Sequence, residues 1–192
     1  YHLGTCREDE FAHKVCFQPH IVYLANSSAL KIGITRIVNM PTRWLDQGAT
    51  QALPILKVGS RRLSGHLETL IGTQIADKTD WRKLLKGEAE PLNLIEQRDQ
   101  ILEEFAPKIQ TIRDEFSQNL EFNEELEFLE HELPKEFIYP VEQYPEKIKS
   151  LNLDKTPKIR GVLHGIKGQY LLLDIGVINI RKYTGYELIL RT

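Results

Sequence analysis

Two short apolar runs, residues 21–25 and 30–35, flank the turn material Asn26-Ser27-Ser28 and constrain this chain to begin with a β-hairpin. Val22-Tyr23-Leu24-Ala25 and Lys31-Ile32-Gly33-Ile34-Thr35 are rich in β-branched and aromatic side chains, which fit a pleated surface. Small polar residues between them supply a tight turn. Pro41 then suits the first turn of a short helix over 42–47, which Gly48 ends. Residues 53–59 read as a third strand. Ser64 is the expected N-cap of a helix reaching about residue 76, with Leu67, Leu70, Ile71 and Ile75 at helical spacing. Thr79-Asp80 caps a short helix running to about 86. The order β-β-α-β-α-α predicts an α+β module at 21–87 with a small antiparallel three-stranded sheet.

From Pro91 the character changes. Ile95, Leu102, Phe105, Ile109, Ile112 and Phe116 form one apolar stripe at helical spacing, which Pro107 is expected to kink or split. Asn123-Glu124-Glu125 reads as the cap and acidic first turn of a further helix ending before Pro134. Residues 88–134 are therefore expected to be an acidic helical segment. Beyond it, 135–192 predicts an antiparallel β domain or partial barrel, with strands at 158–164, 169–174, 177–181 and 186–190 separated by glycine-bearing turns.

Charge divides the chain in the same places. Its formal net charge is −2, but residues 90–136 carry 14 acidic and 4 basic side chains, while 11–87 carry 11 basic and 4 acidic. A basic module suits a phosphate-rich partner, and the acidic helices suit a basic protein partner. At 192 residues and 41% hydrophobic, the chain can hold one large or two small globular domains. It lacks the ~18-residue apolar run of a membrane helix and a signal-peptide pattern, so the expected location is cytoplasmic. It opens at Tyr1-His2 without an initiator methionine and reads as a fragment or processed form.

Two cysteines are too few for a disulfide scaffold. His2, Cys6, Cys16 and His20 instead have short, ligand-like spacings, and soft thiolates with imidazoles suit structural zinc. Two unrelated thiols beside surface histidines fit the same residues. Residues 1–20 are thus expected to be a zinc knot at the end of a cysteine-rich segment.

The hairpin motif, with Arg43 ten residues beyond Gly33 and Glu68 a further 25 on, resembles the core of the GIY-YIG nuclease superfamily. The resemblance implies that Tyr23 positions or activates water, Arg43 neutralises the scissile phosphate, and Glu68 holds one divalent ion, Mg²⁺ or Mn²⁺. Phosphodiester cleavage calls for such a set. Lys31 stands where many members have the second tyrosine, and binds phosphate as a point charge instead. Gly33 permits close backbone approach, and Arg61 and Arg62 are placed to grip phosphates ahead of the helix. Bland roles fit the same residues: Tyr23 packing at a sheet edge, Arg43 pairing with Asp46, Glu68 solvated. Trp44 reads as core, and His66 as an exposed histidine or an extra acid–base group.

A second resemblance spans nearly the whole chain. YLANSSALKIGITR, PTRWLDQGATQALPI, ADKTDWRKLLKG and GIKGQYLLLDIGVINIRKYTGY are similar to signatures of a bacterial family called domain of unknown function 2797, which implies no activity. The expectation is a metal-dependent nuclease or a nuclease-derived nucleic-acid-binding protein; the alternative is a zinc-stabilised binding or interaction module.

Overall fold

The structure is a computed structural model that describes residues 6–75, 80–117 and 125–191. One helical turn, α1 (Asp9–Phe11), runs into a π-helical turn (Ala12–Cys16). The hairpin follows as β1 (His20–Asn26) and β2 (Leu30–Arg36), paired antiparallel with Tyr23 opposite Gly33. Every residue of β1 is buried. The reason is position: β1 lies between β2 and β3 (Gln51–Val58), with helices on both sheet faces. A strand covered on both faces reads as a continuous apolar run rather than an alternation.

The sheet is wider than the three strands expected. Its order is β2-β1-β3-β4, where β4 is Leu126–Phe128, and β5 (Lys135–Glu136) pairs with the other end of β3. The helix expected after Asn123-Glu124-Glu125 is therefore corrected: Asn123 and Glu124 lie outside the described residues, and 126–128 is a strand. The edge of β3 explains the change, because its unpaired backbone groups are satisfied by β4. Leu126 is buried against the core while Glu127 reaches Lys57 at 2.9 Å. The acidic segment thus completes the sheet of the preceding module.

Two helices cover one face. α3 (Arg61–Ile71) begins earlier than expected, because Ser60 rather than Ser64 is its N-cap, accepting from the Leu63 N–H at 3.1 Å. Ser64 is buried inside the helix and donates to the Arg61 carbonyl. α5 (Leu94–Ser117) is one helix that contains Pro107. Pro107 does not split it: the proline lies on the exposed side, while Ile101, Phe105, Ile109 and Phe116 are buried against the sheet. Burial of each such side chain contributes about 1.5–3 kcal/mol, enough to hold the helix through the loss of one N–H donor. On the other face Trp44, from α2 (Thr42–Asp46), packs with Ile21, Tyr23 and Ala25.

The C-terminal region has three strands, β6 (Leu163–Lys167), β7 (Tyr170–Leu173) and β8 (Gly176–Asn179), in an open antiparallel sheet. Residues 158–162 and 186–190 form no strand and 180–183 form a 3-10 turn, so the strand expected at 158–164 is shifted to β6, and the fourth strand and the partial barrel are corrected. Leu188, Ile189 and Leu190 are exposed, so no burial holds this run as a further strand. A small core of Leu84, Leu85, Tyr170, Leu172 and Val177 joins this sheet to α4 (Trp81–Leu84). Asp80 caps α4 through the N–H groups of Arg82 and Lys83; Thr79 lies outside the described residues. Among the described residues no helix is long and apolar enough to cross a membrane.

Candidate active site

The hairpin edge, the start of α3 and the short α2 enclose a cleft of about 370 Å³. Tyr23, Lys31, Gly33, Arg43, Arg61 and Glu68 all line it. Each arrives for a local reason. Tyr23 and Gly33 are cross-strand partners, so the phenol ring lies over the position where a side chain on Gly33 would stand. Trp44 anchors α2 from within the core, edge-on to Tyr23 with ring centroids 5.8 Å apart, which leaves the adjacent Arg43 half-buried at the cleft. Leu67 and Ile71 fix the buried face of α3, and Glu68, next to Leu67, is carried to the rim.

The Tyr23 hydroxyl donates to Gln47 Oε1 at 2.9 Å. Burial pushes the phenol up from its ordinary value; Arg43 opposes this, and Glu68 adds to it. Both charges are therefore felt at the Tyr23 oxygen. The phenol stays protonated at neutral pH, and with its proton committed to Gln47 the oxygen accepts from the Arg43 guanidinium and keeps a lone pair for a water or a ligand donor.

Gln47, expected near the cleft, lines it, and so do two residues that the pattern did not single out for this site, His20 and Arg36. His20 is 2% exposed, and its Nδ1 lies 2.6 Å from the Gln18 carbonyl. A carbonyl only accepts, so Nδ1 carries the proton and the neutral ring has Nε2 unprotonated. Burial lowers its affinity for a second proton, the Gln18 carbonyl opposes that, and Arg61 and Arg36 add to the lowering. The cleft thus contains a neutral base. His20 opens β1, a position that suggested metal ligation by spacing alone; Arg36 ends β2, and the final arginine of KIGITR was its available signal.

Other expectations divide. Arg62 is not among the cleft residues; its guanidinium lies 4.7 Å from the centre of the Phe116 ring on α5. His66 is exposed and stands edge-on to the same ring. Arg43 forms no ion pair with Asp46. Cys6 and Cys16 are half-buried free thiols, and His2 lies outside the described residues. Among the described residues no three His, Cys, Asp or Glu side chains are grouped to hold a metal ion. Near Tyr23, Glu68 presents one carboxylate. That donor set fits a hard ion such as Mg²⁺, which binds through one or two carboxylates and completes its shell with water and substrate phosphate.

A family model described as "Protein of unknown function (DUF2797)" matches residues 1–188. No curated protein and no solved structure matches the chain.

Proposed function

The chain belongs to the DUF2797 family of proteins of unknown function, and on that premise we propose that its cleft binds nucleic acid and hydrolyses a phosphodiester bond, as a GIY-YIG-like nuclease. The observation that carries this reading is the meeting of Tyr23, Arg43 and Glu68, drawn from a strand and two helices, at one cleft rich in cations.

Each residue has a chemical part. Arg43 neutralises the phosphate and offers a planar fork of donors to its non-bridging oxygens. Lys31 and Arg61 add positive charge around the same phosphate. Tyr23, neutral and held by Gln47, orients water through its remaining oxygen lone pair. His20, neutral with Nε2 unprotonated, is the group in the cleft suited to accept the proton of that water. Glu68 would hold a divalent ion, which when bound supplies Lewis-acid stabilisation of the leaving oxygen.

The test is cleavage of a mixed panel of single- and double-stranded DNA and RNA with and without Mg²⁺ or Mn²⁺. Metal-dependent cleavage that Arg43→Ala abolishes supports the proposal; a panel left intact by the wild-type chain rejects it. A second reading, binding without turnover, is favoured by Lys31 in place of the second tyrosine, since an ammonium binds phosphate but cannot replace a phenol in chemistry. Salt-sensitive binding with no cleavage identifies it. Structural zinc on His2, Cys6, Cys16 and His20 is a separate proposal; the three of these that are described are not grouped, so it requires them to converge on binding, and elemental analysis of the purified protein tests it.

A further inference from the structure

We propose that the cleft continues past Arg43 into a groove between α2 and the C-terminal sheet. In this groove Arg181 binds the backbone of the same nucleic-acid strand, away from the reacting phosphodiester. This rests on the nucleic-acid reading above.

Arg43 is the joint. Besides the Tyr23–Glu68 cleft it lines two further cavities, of about 710 and 390 Å³. Asp46 and Arg181 line both of these, as do Gln169 and Tyr170. The smaller also touches Lys31 and Gln47, so the three cavities follow one another around α2. Along their whole length the charged walls are Lys31, Arg36, Arg43, Arg61 and Arg181 against Asp46 and Glu68. That is five cations to two carboxylates in a chain whose net charge is −2. Arg181 is exposed and, among the described residues, has no ion pair.

The far wall is pinned rather than loosely apposed. Gly168 has φ +57°, and a Cβ there would stand 2.9 Å from the Asp46 carbonyl oxygen and the Gly48 nitrogen, so the β6–β7 turn presses on the end of α2. Lys167 beside it is fully buried, and its ammonium donates to the Gly87 carbonyl at 2.8 Å and the Tyr144 hydroxyl at 3.2 Å. The Tyr139 hydroxyl donates to the Ala49 carbonyl at 2.9 Å and lies 3.2 Å from that of Leu45.

The chemistry selects a ligand with repeated anions. A strand brings a phosphate with every nucleotide and can meet Arg43 and Arg181 with different phosphates, whereas a nucleoside monophosphate has a single phosphate to offer. Trp81 is already parallel to Tyr170 at 6.1 Å and under the Arg82 guanidinium at 4.5 Å, so it is engaged within the protein. Recognition in the groove is therefore by phosphate rather than by base stacking, and is indifferent to sequence.

The test is fluorescence anisotropy with labelled single-stranded oligonucleotides of two lengths, a mononucleotide competitor and an acidic peptide competitor. A salt series without divalent metal keeps the strands intact. The expected result is affinity that rises with length. Arg181→Ala should weaken binding of the longer strand several-fold and lower the log–log salt slope by about 0.7, the loss of one phosphate contact on a single strand. Arg181→Glu should weaken it further, and mononucleotide binding should be unchanged in both. If the wild type binds the long strand and both variants bind it equally well, the groove assignment is overturned while the cleft reading stands. Competition by the acidic peptide at the strand's own affinity also overturns it, in favour of a protein ligand. A wild type that binds no strand at low salt overturns both.

Discussion

The ring of Tyr23 lies across Gly33 so closely that a Cβ on Gly33 would come within 2.7 Å of the ring carbon Cζ and 2.8 Å of the hydroxyl oxygen. The absent side chain of one strand is thus the seat of the phenol from the next. Gly33→Ala is expected to push the ring off its place, break the hydroxyl bond to Gln47 and cost about 1–3 kcal/mol by overpacking. Urea unfolding measures the stability loss. Cleavage should fall with it, and Gln47→Ala should reproduce the functional loss with a smaller change in stability.

Adjacent arginines at the start of α3 have different work. Arg61 lines the cleft, whereas Arg62 lies over Phe116. Arg62→Ala should lower stability by about 1–2 kcal/mol, the worth of a partly buried cation–π contact, and leave nucleic-acid affinity unchanged. Arg61→Ala should do the reverse, weakening binding and reducing its salt dependence. Thermal melts and a salt titration on the same two proteins separate the cases.

His20 makes stability depend on pH. Its folded-state pKa lies below the ordinary 6.5 because the ring is buried. Between those two values the unfolded chain binds more protons, so the contribution is fully present above pH 6.5 and is lost as pH falls toward the folded value. His20→Asn, which keeps a donor near the Gln18 carbonyl and cannot titrate, should lose less stability between pH 7.5 and 5.5 than the wild type. The measurement is the difference in urea midpoint across that range; equal losses would show that His20 does not carry the effect.

Lys167 ties the C-terminal sheet to the rest of the chain. Replacing it with methionine keeps the apolar stem but leaves the Gly87 carbonyl and Tyr144 hydroxyl without their donor, a loss of about 1–3 kcal/mol. Hydrogen exchange over 163–179 should quicken in Lys167→Met, while exchange in β1 and β3 should hardly change.

The hairpin was legible because its two strands and turn are contiguous, and each carries its own propensity. Ser60 and Ser64 were not separable by pattern: both precede leucines at helical spacing, and only the bond to the Leu63 N–H decides between them. β4 was hidden by its length and its acids, since Leu126-Glu127-Phe128 shows no period until β3, far away in sequence, presents an edge for it to pair with. The same distinction governs the cleft. Tyr23, Arg43 and Glu68 could be named because the resemblance that points to them is carried by one contiguous module. Arg181 belongs to the cleft's extension only because Gly168 docks on α2, a tertiary contact that no local pattern contains. His20 was visible, but adjacent cysteines drew it into a metal-ligand reading that its bond to Gln18 does not require.

Glu68→Gln removes the carboxylate charge at the cleft while keeping the shape of the side chain. Single-turnover cleavage and equilibrium affinity should be measured on the same strand, with Mg²⁺ or Mn²⁺ for the first and without metal for the second. Cleavage by the wild type should require the metal, and Glu68→Gln should slow it by about 100-fold or more, the scale of losing one electrostatic element of a transition-state site, while affinity stays the same or rises. A variant that cleaves as fast as the wild type would contradict the assignment of Glu68 to the reacting site.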